Sequence, residues 1–485
     1  MPSLLTLLLA CEATVPAAST TSEPELRDSA EPEDSDPPVT LAEALTEERL
    51  MGHLEALAEI GASSNDTRAW TTEGQLESGD YAVQVLEAAG YEVWEDLHVV
   101  EDRVVTDASF ETVTPEAAVH ERDASWGVFG GSAEGRVTAP VSVVDLQLPP
   151  GEEANSSTSG CQASDWDGFP AGHVALVQRG TCTFAQKVQN AEDADASAVL
   201  IFNEGQPDRQ GPIVSSLGGQ SELPVLGLSY ALGVQLADQA EDGSLEVALE
   251  IEAEIQELIL TNILAESPGG DPERVQMVGA HLDSVLAGPG LNDNGSGSAL
   301  VLTLAELVVE LGLDPEQKLR FALWDGEEYG LLGSFAWLDE LPEQELDHIE
   351  GYWNYDMVAS PNGVPFLYDG DGSTGEWAPE GSAAFERALE EGYELQGLDW
   401  EETQPWAPTD SWGFLELGVP TSGIFTGAYE TKTPAQAERY GGTAGEALDP
   451  CYHQLCDNLD NVDRLRFEQS GKAAAHALQT LLVLD

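Results

Sequence analysis

Residues 275–334 limit how this chain can fold more than any other stretch. They read VQMVGAHLDSVLAGPGLNDNGSGSALVLTLAELVVELGLDPEQKLRFALWDGEEYGLLGS. An apolar run at 275–280 ends in His281-Leu282-Asp283. A Gly-rich turn then presents Asn292-Asp293-Asn294, and residues 299–311 have the apolar character of a buried helix. A second apolar run at 319–324 ends in Asp325-Gly326-Glu327-Glu328. Strand, turn, helix, strand is the rhythm of a parallel α/β sheet, and such sheets hold ligands beyond the carboxyl ends of their strands. His281, Asp283, Asp293, Glu327 and Glu328 all fall at such ends or in the loop between them. One imidazole among several carboxylates makes a site for a hard-to-borderline divalent ion, with zinc the leading candidate.

Each word alone has a plainer explanation. His-x-Asp after a strand can be a loop contact, Asn-Asp-Asn-Gly suits a turn, and Glu-Glu suits a helix start. Their order on successive strand ends is what singles them out. The words AHLDS, GLNDNGSGSA and LRFALWDGEEYGLLGS, then Tyr355-Asp356-Met357-Val358 and the later CYHQLCDNLDNVD, resemble the M28 family of zinc aminopeptidases. The likeness is strongest to the secreted, Streptomyces-type branch with two zinc ions, and it runs from 275 to the C-terminus.

That resemblance implies a mixed, mostly parallel sheet flanked by helices, the zinc exopeptidase fold. It also implies two zinc ions per chain, with Asp293 as the bridge. His281 and Asp356 complete one half of the site, and Glu328 and His453 the other. Two ions sharing a carboxylate and a water polarise a peptide carbonyl and yield hydroxide near neutral pH. Glu327 is then the general base, Tyr452 a donor to the oxyanion, and Asp283 a partner that orients the His281 ring. The expected substrate is a peptide with a free N-terminus, preferentially with a large apolar first residue. Other M28 activities (carboxypeptidase, dipeptidase, glutaminyl cyclase) and an inert surface peptide-binding protein are the alternatives. The pattern departs at Thr409-Asp410-Ser411-Trp412-Gly413-Phe414, where relatives often carry Ser-Asp-His-x-Pro-Phe. A family histidine and a preceding arginine are missing here, which puts pocket shape and terminal-group recognition in doubt. A calcium ion is a further expectation, though no run of ligands identifies its site.

Composition fixes what the chain can meet. Acidic residues number 89 against 18 basic ones, a formal charge of −71. Nucleic acid and anionic membrane surfaces are poor partners for such a surface. An evenly acidic surface of this kind is what halophilic proteins carry. A monomer is expected.

The N-terminal run MPSLLTLLLACEAT resembles a bacterial lipoprotein signal that would lipidate Cys11, although no Lys or Arg precedes it and the run is short. With Cys11 so used, the remaining cysteines divide by position into Cys161–Cys182 and Cys451–Cys456. Both suit disulfides outside the cytoplasm, with four free thiols as the alternative. The chain is accordingly expected to be exported, as an envelope lipoprotein or a secreted protein.

Residues 1–11 read as signal and 12–40 as an acidic tether. Helices are expected at 41–60 and 78–89, the first capped by Thr40. Short β-like runs split by Gly and Pro occupy 127–254. There RGTCTF (179–184) and AVLIFN (198–203) resemble a protease-associated (PA) domain, a common insert in M28 enzymes and a lid or access module here. Residues 41–126 and 255–485 then make up the catalytic domain.

Overall fold

The computed structural model describes residues 39–482, apart from 152–155, 207–208, 214, 216, 218 and 242. Cys11, the signal segment and the tether up to residue 38 lie outside the described residues.

Across the main sheet the neighbours are Glu401–Thr403, Phe366–Tyr368, Thr421–Phe425, Ile349–Tyr355, Asp271–His281, Gln317–Trp324 and Glu246–Glu266. The four strands from Thr421–Phe425 to Gln317–Trp324 are parallel, and antiparallel strands flank them on both sides. Parallel strands covered on both faces read as continuous apolar runs, which explains why Val275 to His281 and Phe321 to Trp324 are buried throughout. Helices Glu47–Ser63, Gly297–Glu310, Ser382–Leu395 and Arg464–Leu481 cover one face, burying Leu54, Leu304, Leu389 and Leu478 against Val278, Phe321 and Trp353. On the other face Trp337 and Phe414 meet Trp324 and Tyr352. Mixed sheet and flanking helices are as the sequence implied.

A long antiparallel ribbon leads away from this sheet. Glu92–Thr114 pairs with Glu246–Glu266 from Glu92↔Glu266 to Thr114↔Glu246. One end of the second strand joins the main sheet through Ile263↔Leu323. The other joins Gly135–Val143 through Ile251↔Gly135. There a smaller sheet of Gly135–Val143, Val174–Gln178, Ala198–Phe202 and Val225–Leu228 runs parallel. It packs with helices Phe184–Asp193 and Tyr230–Ala240 around its own apolar clusters.

Local signals account for the helix ends. Thr40 caps a short helix, Leu41–Ala44, through a capping box with Glu43. The single helix expected at 41–60 is broken because Thr46 caps a second one, Glu47–Ser63. The helix expected from 78 starts at Glu73, since Thr72 accepts from Gln75 N, and it ends on Gly90 at φ 99°. The disulfides are Cys161–Cys182 and Cys451–Cys456. No described helix is long and apolar enough to cross a membrane.

Candidate metal centre

The carboxyl ends of three adjacent parallel strands converge. His281 closes Asp271–His281, Glu327 and Glu328 follow Gln317–Trp324, and Asp356 follows Ile349–Tyr355. Asp293 arrives on a π-type turn, Leu291–Ser296, just before helix Gly297–Glu310. Gly290 begins that turn at φ +59°, and a Cβ there would strike the Asp293 carbonyl and Ser284. His453 comes from the loop closed by Cys451–Cys456, at φ +57°.

Asp293 stands between the two imidazoles. Its Oδ1 lies 3.4 Å from His281 Nε2 and its Oδ2 lies 3.2 Å from His453 Nε2. His281 Nε2 is also 3.4 Å from Asp356 Oδ1 and 3.8 Å from Glu327 Oε2. His453 Nε2 is 3.0 Å from Glu328 Oε2. Two clusters result, His281 with Glu327 and Asp356, and His453 with Asp293 and Glu328.

His281 Nδ1 donates to the Asp283 carbonyl at 3.1 Å, which leaves Nε2 as the ring nitrogen facing the carboxylates. The Asp283 carboxylate stands 3.6 Å from that nitrogen. It accepts instead from Glu327 N at 3.1 Å and Glu328 N at 3.3 Å, so it holds the backbone that carries both glutamates.

The charges are far out of balance. Burial opposes ionisation of Asp293, but hydrogen bonds from His281 and His453 hold its carboxyl well below the usual range. Burial also opposes the charge on His453, yet Glu328 and Asp293 push it up to about 10. Burial pushes Glu328 up to about 7 and Glu327 far above its ordinary value, with neighbouring carboxylates adding to the effect. Asp356 Oδ1 and Glu328 Oε1 are buried and have no hydrogen-bond partner among the described residues. Orphaned carboxylate oxygens, two imidazole nitrogens aimed into the cluster and excess negative charge are what a pair of divalent cations would satisfy.

Several residues support the centre through contacts that the sequence did not signal. Arg68 is fully buried and donates to the carbonyls of Leu282, Pro289 and Gly290, fixing the loop between His281 and Asp293. Asp457 accepts from Asn292 N and Asp293 N, at 2.9 and 3.0 Å. Asp449 accepts from Asn292 Nδ2 at 2.6 Å. Thr409 Oγ1 donates to Asp356 Oδ2 at 2.7 Å, and Asp410 accepts from Ser334 Oγ at 2.5 Å. The departing segment 409–414 therefore abuts the site. A signal for Asp457 lay in the acidic CDNLDNVD word, but nothing in its spacing named the contact. His348 lies half-buried in a turn after Glu343–Leu346 and takes no part. His173 meets Ser142 in the smaller sheet's region, as a structural histidine would.

Two clefts flank the centre. One, of about 800 Å3, is walled by Phe335, Tyr368, Trp406, Trp412, Phe425 and Tyr429. The other, of about 760 Å3, lies towards the insert and is lined by Arg179, Phe184 and Leu455 among others. Glu328, Tyr429, Tyr452 and His453 border both. The Tyr452 ring stacks on His453 with centroids 3.8 Å apart.

Residues 262–478 match the profile of peptidase family M28, and residues 137–236 match that of the PA domain. An aminopeptidase of Pseudomonas aeruginosa is 40% identical over 443 residues, which span 90% of this chain and 81% of that protein. A probable lipoprotein aminopeptidase, LpqL, of Mycobacterium tuberculosis is 35% identical, spanning 91% and 86% of the two chains. The solved structure of a zinc aminopeptidase from Bacillus subtilis superposes with a TM-score of 0.70 at 22% identity, spanning 90% of this chain and 96% of that one.

Proposed function

The chain belongs to peptidase family M28 with an inserted PA domain, and on that premise we propose that this aminopeptidase is an exported, two-zinc enzyme removing large apolar N-terminal residues from peptides. The observation that carries the reading is Asp293, whose two oxygens face two imidazoles at 3.4 and 3.2 Å. His281, Asp356, Glu328 and His453 would hold the ions on either side of it. When bound, such a pair supplies Lewis acidity and a water acidic enough to attack a peptide carbonyl near neutral pH.

The remaining work belongs to side chains of this protein. Glu327 takes the proton of the attacking water and passes it to the leaving amine, a role for which a raised affinity for protons suits it. Acidic groups around the centre attract the substrate's α-ammonium. The aromatic cleft accepts an apolar first side chain. Tyr452 lies beside His453, within reach of an oxyanion formed there.

Export is supported by two disulfides and by the likeness to a protein named as a lipoprotein. Lipidation of Cys11 belongs to the same proposal. We take 127–254 as the insert and 41–126 with 255–485 as the catalytic domain. A calcium ion stays part of the proposal without a site of its own; the Asp369, Glu386 and Glu402 carboxylates gather in one place, but Asp369 already accepts from Gly372 N, Ser373 N and Thr374 N.

The test is hydrolysis of leucyl-p-nitroanilide at low and high salt, before and after chelation. Loss of activity with chelator, return with zinc at two ions per chain, and at least a hundredfold loss of kcat in Glu327→Ala are expected. Folded, zinc-loaded protein that is silent on free-amine substrates would end this reading.

A further inference from the structure

The insert contributes to the cleft one guanidinium that makes no side-chain hydrogen bond or ion pair among the described residues, although Glu204 attracts it from a distance. Among the described residues every lysine and arginine other than Arg179 has a side-chain hydrogen bond or ion pair. In a chain with 89 acidic residues, a cleft-lining guanidinium with no direct hydrogen bond or ion pair stands apart from the rest. Arg179 lies half-buried on the wall of the 760 Å3 cleft, over the Phe184 ring at 5.7 Å. Behind it Arg209 is paired with Glu204 at 3.1 Å. The phenol of Tyr452, from the catalytic side, lies near enough to act on it electrostatically.

The loop that carries Arg179 is fixed. Arg179 N donates to Phe202 O at 2.8 Å, and Thr181 N donates to Ser157 O at 2.9 Å. Gly180 packs so close to the Ser157 carbonyl that no Cβ would fit. Cys182 is tied to Cys161, and Thr183 caps the helix Phe184–Asp193. A guanidinium held in place pays little ordering entropy when it meets a planar anion, and it suits a carboxylate in fork geometry.

The two clefts meet at Glu328, Tyr429, Tyr452 and His453. If the aromatic cleft takes the first residue, the portion that leaves must lie on the insert's side. We propose that this cleft is the leaving-group subsite and that Arg179 pairs there with a carboxylate of the leaving portion, making the enzyme selective for short peptides with a free C-terminus. This rests on the aminopeptidase reading above.

The experiment compares kcat/KM for Leu-Gly and Leu-Gly-Gly with that for their C-terminal amides, in wild type, Arg179→Gln and Arg179→Lys. In wild type the acids are favoured over the amides. In Arg179→Gln that acid-to-amide ratio falls at least tenfold, and Arg179→Lys recovers part of it. A leaving residue with an acidic side chain and an amidated end, Leu-Glu-amide against Leu-Gln-amide, separates the two sources of carboxylate. Preference confined to that pair would overturn selectivity for a free C-terminus. Equal ratios in wild type and Arg179→Gln would overturn the pairing itself. Inactivity of the wild type on every one of these peptides would instead overturn the aminopeptidase reading, so the two failures are distinct.

Discussion

Replacing Asp283 by Asn tests how the centre is held. The Asp283 side chain is fully buried and accepts two backbone N–H bonds, from Glu327 at 3.1 Å and Glu328 at 3.3 Å. A hydrogen bond to an ionised acceptor is worth about 1.5–3 kcal/mol. Asn keeps one oxygen, so one N–H keeps its acceptor and the other faces an amide that can only donate. The loss is therefore about one such bond, and it falls on the backbone that aims Glu327 and Glu328. At about 1.4 kcal/mol per tenfold this amounts to a 10- to 100-fold loss in zinc affinity or kcat/KM. Zinc affinity measured by chelator competition and turnover of leucyl-p-nitroanilide at saturating zinc separate the two. His281 should stay oriented, because its Nδ1 bond goes to the Asp283 carbonyl, which Asn retains. Wild-type zinc affinity and turnover in a well-folded Asp283→Asn protein would refute the reasoning.

Three further outcomes are expected. Removing the Cys451–Cys456 bridge, which spans five positions, with a Cys451→Ser, Cys456→Ser pair should cost about 2 kcal/mol of unfolding free energy and loosen zinc held by His453, read by urea titration and zinc retention. Trp412→Ala opens the aromatic cleft and should lower the leucyl-over-alanyl preference in kcat/KM by about tenfold, whereas an unchanged ratio would remove Trp412 from the pocket. Burial lowers the Lys187 ammonium from 10.5 to about 8, so between those values the unfolded chain holds the extra proton and stability should rise with pH. The advantage of wild type over Lys187→Met should therefore grow from pH 8 to 9.5, by up to about 1.4 kcal/mol per unit, and a flat difference would count against it.

Much of the centre was legible because strands and metal chemistry both leave local marks. Buried parallel strands are apolar runs, and a polar residue at the end of one stands out. His281, Glu327 and Glu328 were visible for that reason, and Asp293 from the Gly-rich Asn-Asp-Asn turn between the two runs. Arg68 was not. It is a single arginine between two helices, and only the fold shows that it satisfies three loop carbonyls over 200 residues away. Thr409 and Asp410 were visible only as a departure from a pattern, and their contacts with Asp356 and Ser334 depend on side-chain directions that no spacing encodes.

The insert poses the harder case. Its PA-like words marked a fold and no chemistry, and Arg179 was one letter of RGTCTF. Its place depends on the ribbon of Glu92–Thr114 and Glu246–Glu266, which joins both sheets through one continuous strand. Such a ribbon fixes the insert against the catalytic sheet by register, with each end paired into a different sheet. The RGTCTF loop can therefore face a segment nearly 270 residues later and share a cleft with Tyr452 and His453. A module tethered by flexible linkers could cover a site, but it could not offer a guanidinium at a set position. On this argument the insert does more than admit or exclude substrate, because its geometry lets it discriminate among leaving groups.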